Sequence, residues 1–273
     1  MFTYLNPKVR QRLIEERKLI RINAHGSEIS LNETPADGEL AINVLGPIPL
    51  PIELGDVHIT TQWYATVRST ELATVENLAR DLTKQGGQQL FATLASSMAV
   101  NSVLVIGDPS ASDNPLVRVH SSCLTGDVFG SQRCECGPQF VSALDRIDKD
   151  NEGGLVIYMS GHEGRGIGLW AKAATYLLQD AGENTYEANR SLGLPDDSRD
   201  FSDAAALLHY FIGKRPFRLM TNNPKKVTDL AEYGLTEATP VKHVIGVNPW
   251  NQRYLTAKRD WGHELSERDI SKP

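Results

Sequence analysis

Two stretches decide the fold: LVRVHSSCLTGDVFGSQRCECGPQF at residues 116–140 and GLVIYMSGHEGRGIGLWAKAATYLLQDAG at 154–182. In the first, Leu116–His120 reads as a strand, a cysteine-rich turn follows, and a helix is predicted near Gln139–Asp150. In the second, the apolar strand Gly154–Met159 runs into the glycine loop Gly161–Gly168. A helix is expected next, with Leu169, Ala173, Tyr176 and Leu177 on one face and Gly182 ending it. That order is a βαβ rhythm.

The rhythm continues downstream through a polar, acidic loop at 183–201, a helix at about 202–212, and a strand Phe217–Met220 entering the turn TNNPKK at 221–226. Upstream, Ser102–Ile106 has strand texture, and the alternation of Val57, Ile59, Thr61 and Trp63 with polar residues predicts another strand. Between them, Leu72, Val75, Leu78, Leu82, Leu90 and Leu94 recur at helical steps broken by Gly86-Gly87, predicting two helices and a turn. Residues 7–20 predict a solvated helix with one narrow apolar face of Val9, Leu13, Leu19 and Ile20. The expected fold is therefore α/β, a mixed sheet flanked by helices. It carries an N-terminal appendage (1–45), a main domain (46–265) with an inserted helical hairpin (66–99), and a frayed polar tail (266–273).

The 273 residues, 40% hydrophobic and 23% charged, exclude wholesale disorder and fibrous repeats. With 28 Lys+Arg against 34 Asp+Glu, the net charge of −6 offers no global attraction to nucleic acid or an anionic membrane. The opening residues lack an apolar secretory core, and no run approaches the roughly 18 apolar residues of a membrane span, so a cytoplasmic protein is expected.

Three cysteines, Cys123, Cys134 and Cys136, form a C-x10-C-x-C cluster. Their number and crowding do not suit a disulfide framework; they suit Zn²⁺, with a fourth position left for water whose pKa the metal lowers toward about 7. His120 is a candidate fourth ligand, and buried free thiols or a redox pair are the alternatives. The loop around Glu163 and Arg165, opening a helix, offers backbone N–H groups and a guanidinium to an anion, and Glu163 among anions suggests Mg²⁺. The Asn222–Lys226 turn is a second candidate phosphate site. Taken alone, these loops are equally packing turns and solvated lysines, Asp196–Asp200 an ion-paired turn, and Tyr176 a core tyrosine. The residues by themselves point to a zinc hydrolase acting on a phosphorylated compound.

The ordered blocks RVHSSCLTGDVFGSQRCECGPQF, EGRGIGL, QDAGENTYEANRSLG, DDSRDF, TNNPKKV and NPWNQRYLTAKRDWGH resemble GTP cyclohydrolase II of riboflavin biosynthesis over about residues 100–265, with PLPIELGD, ending at Asp56, similar to the start of that domain. The resemblance implies opening of the imidazole ring of GTP, with release of formate and pyrophosphate, to give 2,5-diamino-6-ribosylamino-4(3H)-pyrimidinone 5′-phosphate. It implies zinc on Cys123, Cys134 and Cys136, with Mg²⁺ carried by the nucleotide phosphates. Arg199 matches a proposed nucleophile toward the α-phosphate and Asp197 its proton acceptor, although a guanidinium's permanent charge leaves a purely electrostatic role open. Tyr176 matches the tyrosine that orients water or substrate. Arg118, Val119, His120, Ser121, Ser122, Gln139, Glu163, Gly164, Arg165, Thr185, Thr221 and Lys226 match GTP-contacting positions. A homodimer is implied as well.

The sequence departs from the family pattern at Ser122, where glutamate is usual, at Gly161-His162, where Arg-Gln is usual, and at Tyr186, where a small aliphatic residue is typical. Two rivals therefore stay open: a homologue that retains the formyl group or takes another nucleotide, and a non-catalytic zinc-stabilised binding or regulatory module. The acidic phosphate-sugar motif of a fused dihydroxybutanone-phosphate synthase is not seen, so a single activity is expected.

Overall fold

The computed structural model describes residues 6–33, 35–36, 38–85 and 98–271. Their strands join one nine-stranded sheet ordered β2-β1-β3-β4-β5-β7-β6-β8-β9. The first half, β1 (Leu19–Asn23), β2 (Glu28–Ile29), β3 (Ala41–Leu54), β4 (Val57–Arg68) and β5 (Asn101–Ile106), is antiparallel throughout. β7 (Gly154–Met159) pairs antiparallel with β5 but parallel with β6 (Leu116–Ser121); β8 (Phe217–Met220) and β9 (Ala238–Val241) continue the parallel half.

The parallel strands read as apolar runs because both their faces are covered. Val117, Val119, Leu155, Ile157 and Leu219 pack toward Ala204–Leu208 and Ile212 of helix α6 (Ser202–Ile212). Leu116, Val156 and Met220 pack on the other face toward Ala143, Leu144 and Ile147 of helix α3 (Cys136–Asp148).

The N-terminal segment departs from expectation. Helix α1 (Pro7–Glu15) buries no residue, as a solvated arm should, but it is shorter than predicted. The chain turns at Arg17, whose φ is 53°, and Leu19–Asn23 pairs with β3 along its whole length, carrying Ile22 into the main core. Ile20 and Ile22 alternating about Arg21 are a strand signal hidden behind a charged helix. An appendage of 45 residues is thus corrected to a short arm and two sheet strands.

In the expected insertion, β4 runs through Arg68 and one helix, α2 (Ser69–Gln85), follows; the predicted second helix falls on residues 86–97, outside the described residues. The 183–201 loop contains helix α5 (Thr185–Ser191), started by a capping box of Asn184 and Glu187. The tail does not fray as far as it is described, through Ser271: after helix α7 (Pro224–Glu232), helix α8 (Gln252–Asp260) and the short helix α9 (Glu267–Ile270) bury Leu255, Leu265 and Ile270 together.

Candidate active site

β6, β7 and β8 run parallel, and their carboxyl ends open on one cleft, where open α/β sheets collect ligands. β6 delivers Ser121, Ser122 and Cys123, the turn after β7 delivers His162 to Arg165, and the turn after β8 delivers Thr221 to Lys226. Helix α4 (Gly168–Asp180) crosses beside them.

That helix is rotated from its predicted setting. Lys172 and Thr175 are buried, whereas Leu169, Trp170 and Leu177 are exposed. Tyr176 consequently lines the cleft and does not serve as a core residue.

The ligand atoms of Cys123, Cys134 and Cys136 all lie within 4.8 Å of one another, and the Cys123 and Cys134 sulfurs are 3.6 Å apart. A tetrahedral zinc with bonds of about 2.3 Å would space its sulfurs by about 3.8 Å. Gly126 makes the room: a Cβ there would stand 2.9 Å from Cys134 Sγ and 3.1 Å from Cys123 Sγ. Hydrogen bonds from the Cys134 and Cys136 thiols, aided by Lys172 Nζ at 3.1 Å, hold the Cys123 thiol far below its ordinary pKa. The same sharing, with burial, pushes Cys134 up to about 12 and Cys136 well up. Three soft sulfur donors within reach of one another could hold a metal ion, and their chemistry fits zinc. His120 does not join the sulfurs: its Nε2 lies 3.1 Å from Asp127, and among the described residues the ligand cluster consists of the three cysteines.

Around the cluster, Tyr176 places its hydroxyl 3.0 Å from Thr125 Oγ1, with the Arg133 guanidinium 4.3 Å over its ring; burial raises its pKa. Glu163 accepts from Lys172 Nζ at 2.6 Å and from the Leu124 backbone at 2.6 Å, so both its oxygens are engaged with protein. Through these two bonds it anchors the cysteine turn to α4.

Arg199 donates to both oxygens of Asp197, at 2.9 and 2.6 Å, and to Ser121 Oγ at 3.2 Å. Burial works against charge on both partners, yet the paired hydrogen bonds prevail, holding Arg199 up and Asp197 down. Asp197 lies behind Arg199, off the cleft wall. Ser121 faces His162 Nδ1 at 3.1 Å, and His162 Nε2 faces the Asp200 carbonyl at 2.9 Å. Burial lowers His162 to about 4, so the neutral ring donates from Nε2 and accepts from Ser121.

Arg118 donates to the Met220 carbonyl and to Gln139 Oε1, each at 2.7 Å, and Gln139 passes its amide to the His243 carbonyl. Lys226 is buried and donates to the Val119 carbonyl at 2.7 Å; Val119 itself points into the core and gives the site only that oxygen. Burial, then Arg118 and Arg199, depress the Lys226 pKa strongly. Thr221 Oγ1 accepts from the Asn223 backbone and shapes the turn, while Thr185 and Gly164 line the wall. Lys172, Tyr254, Lys258 and His263 also face the cleft and were given no role from the sequence. The last three stand in the NPWNQRYLTAKRDWGH block, whose spacing alone carries no chemistry, and Lys172 hid among the apolar residues of α4.

A model of GTP cyclohydrolase II matches residues 80–241, more than half of the chain. The chain belongs to the GTP cyclohydrolase II family. The match starts within the stretch expected to be an insertion and ends before the C-terminal helices that close the cleft. Among curated relatives, the riboflavin biosynthesis protein RibBA of Nocardia farcinica is 52% identical over 163 residues, which are 59% of this chain and 39% of that protein. RibBA of Salinispora arenicola is 52% identical over 59% of this chain and 38% of its own length. RibBA of Mycobacteroides abscessus is 51% identical over 61% and 40%. The matched region is thus about two-fifths of these longer relatives. Cys123, Cys134 and Cys136, with Arg118, Arg133, Arg165 and Arg199 of the cleft, lie within the residues matched to GTP cyclohydrolase II.

Proposed function

We propose that the protein is a zinc-dependent cyclohydrolase that opens the imidazole ring of GTP, releasing formate and pyrophosphate and leaving the pyrimidinone 5′-phosphate. The observation that carries this reading is the convergence in one cleft of the three-sulfur cluster, the Tyr176 hydroxyl and the Asp197-held Arg199. A binding module has no use for that combination.

Zinc held by Cys123, Cys134 and Cys136 supplies the Lewis acid for hydrolysis at C8. Lys172 lies against the Cys123 sulfur and favours its thiolate. Tyr176 holds a hydroxyl beside the cluster, fixed through Thr125, to orient the substrate. Arg165, Arg199 and Lys258 bring positive charge to the polyphosphate, and Lys226 adds a buried amine donor beside them. Arg199 acts there as a fixed cation: Asp197 is held ionised as its partner, which supports electrostatic stabilisation of the α-phosphate over proton removal from the guanidinium. Mg²⁺ enters with the nucleotide phosphates.

The departures at Ser122 and His162 favour GTP over an altered substrate, because their hydrogen bonds turn inward. Ser122 Oγ donates to the Ser160 carbonyl at 2.9 Å, and His162 bonds on both sides within the protein. Exposed Val128, Phe129, Trp170 and Leu177 support a homodimer, and a cysteine cluster suited to zinc and not to disulfides supports a reducing, cytoplasmic setting. No helix of the described residues is long and apolar enough to cross a membrane.

Incubation of the zinc-loaded protein with Mg²⁺ and a nucleotide panel, read by mass spectrometry, tests the proposal. GTP should lose C8 as formate and release pyrophosphate. A product retaining the formyl mass would support the rival outcome, and an unchanged panel would overturn the reading.

A further inference from the structure

The ring of Tyr186 on α5 is held between two partners. The Arg165 guanidinium lies 3.9 Å from its centroid, and the Trp261 indole stacks at 4.0 Å with an interplanar angle of 14°. One ring face cannot hold both at these distances, so they occupy opposite faces. Arg190 lies 4.6 Å over Trp261 and is fixed by Asp196 at 2.6 and 2.8 Å. A column of four side chains therefore runs from Arg165 at the cleft to Arg190 at the surface.

The cleft end is unusual in its hydrogen bonding. Arg165 has φ 65°, a left-handed conformation uncommon for a side-chain-bearing residue, and Gly166 beside it packs so tightly that a Cβ would meet Ser198 at 3.1 Å. Both terminal nitrogens of Arg165 are buried and find no hydrogen-bond partner among the described residues. A carboxylate would fix the guanidinium by occupying its N–H groups and cancelling its charge. An aromatic face fixes the plane and leaves every N–H free for an anion.

We propose that Trp261 acts through Tyr186 as a positioning residue, holding Arg165 as a preorganised clamp for the polyphosphate of the substrate. The clamp rests on the cyclohydrolase reading for its ligand. It assigns work to a C-terminal segment that lies beyond the family match, and it accounts for an aromatic residue at 186, where a small aliphatic one is usual.

The test compares Trp261→Phe, which keeps a stacking face, with Trp261→Leu, which keeps apolar bulk only; Tyr186→Leu is a second loss variant. Calorimetric titration of each zinc-loaded full-length protein with inorganic tripolyphosphate reads the clamp without any turnover. Trp261→Leu and Tyr186→Leu should weaken binding about three- to tenfold, and Trp261→Phe should stay within about twofold of the parent. With GTP, KM should rise by the same factor while kcat changes less than about twofold, since uniform binding is what is lost. A merely structural role would lower the active fraction, and with it kcat, leaving KM unchanged. Equal tripolyphosphate binding by the parent and the leucine variants overturns the proposal, as does Trp261→Phe binding as weakly as Trp261→Leu, or no binding by the parent. Failure to turn over GTP would strike the cyclohydrolase reading instead, with the calorimetric comparison still deciding the clamp.

Discussion

Replacing His243 with glutamine removes a buried imidazole that ties the cleft-lining helix α3 to the C-terminal segment. Its Nε2 faces the Gln139 carbonyl at 2.9 Å and its Nδ1 faces Arg146 Nη1 at 3.1 Å, so the neutral ring donates to one and accepts from the other. Protonation would break the second bond and set a cation against a guanidinium. Burial first, then Arg118, lower its pKa to about 3. In the unfolded chain the value returns to about 6.5. Between these limits the unfolded state binds the proton and the folded state does not, so stability is complete above about pH 7 and falls as pH drops through 6.5 toward 3. pH 5 lies about 1.5 units below the pKa of the unfolded imidazole, which weakens folding by about 2 kcal/mol. Urea unfolding at pH 8 and pH 5 reads this directly. The variant should be less stable at pH 8, having lost native hydrogen bonds, yet the parent should lose about 2 kcal/mol more on going to pH 5. Loss of metal at low pH affects both proteins and cancels in the comparison. Parallel loss in the two would refute the argument that His243 is held neutral.

Cys134→Ser should abolish stoichiometric zinc, measured by elemental analysis, and GTP ring opening with it; retention of one tightly held zinc per chain would remove Cys134 from the ligand set. Tyr176→Phe keeps the ring but deletes the hydroxyl, so the thermal midpoint should barely move while kcat falls about 10²–10⁴-fold; normal turnover would return Tyr176 to a packing role. Arg199→Ala should suppress pyrophosphate release more than formate release, followed by separate assays of the two products; equal loss would argue against a division between two centres. Ile22→Ala should destabilise the fold by about 2–5 kcal/mol in denaturant titration, and a loss below about 1 kcal/mol would mean β1 is peripheral after all.

The βαβ core was legible because parallel strands covered on both faces carry uninterrupted Val, Ile and Leu, as in Leu155–Ile157. The cysteine cluster was legible because its members are close in sequence as well as in space. Helix α4 was misread for a physical reason: a helix lining a polar cleft buries Lys172 and Thr175 and leaves Trp170 and Leu177 outside, reversing the rule that apolar residues mark the inner face. The α5 helix carried a visible Asn184-x-x-Glu187 start that the acidic composition obscured. Lys258 and His263 reach the cysteine cluster's neighbourhood only through the fold, across more than a hundred positions, as the Lys258–Glu135 ion pair illustrates. No local pattern could announce them.

Among the described residues, none before Arg118 lines the cleft, so the antiparallel half of the sheet and the parallel half divide their labour. The β3–β4 hairpin closes at the exposed pair Gly55-Asp56, and a Cβ on Gly55 would meet no atom within 4 Å. Peptides grafted at that tip would extend into solvent from a part of the sheet that supplies no side chain to the chemistry. The hairpin is therefore a natural handle for a fluorophore, an affinity tag or a surface tether that leaves the cleft untouched.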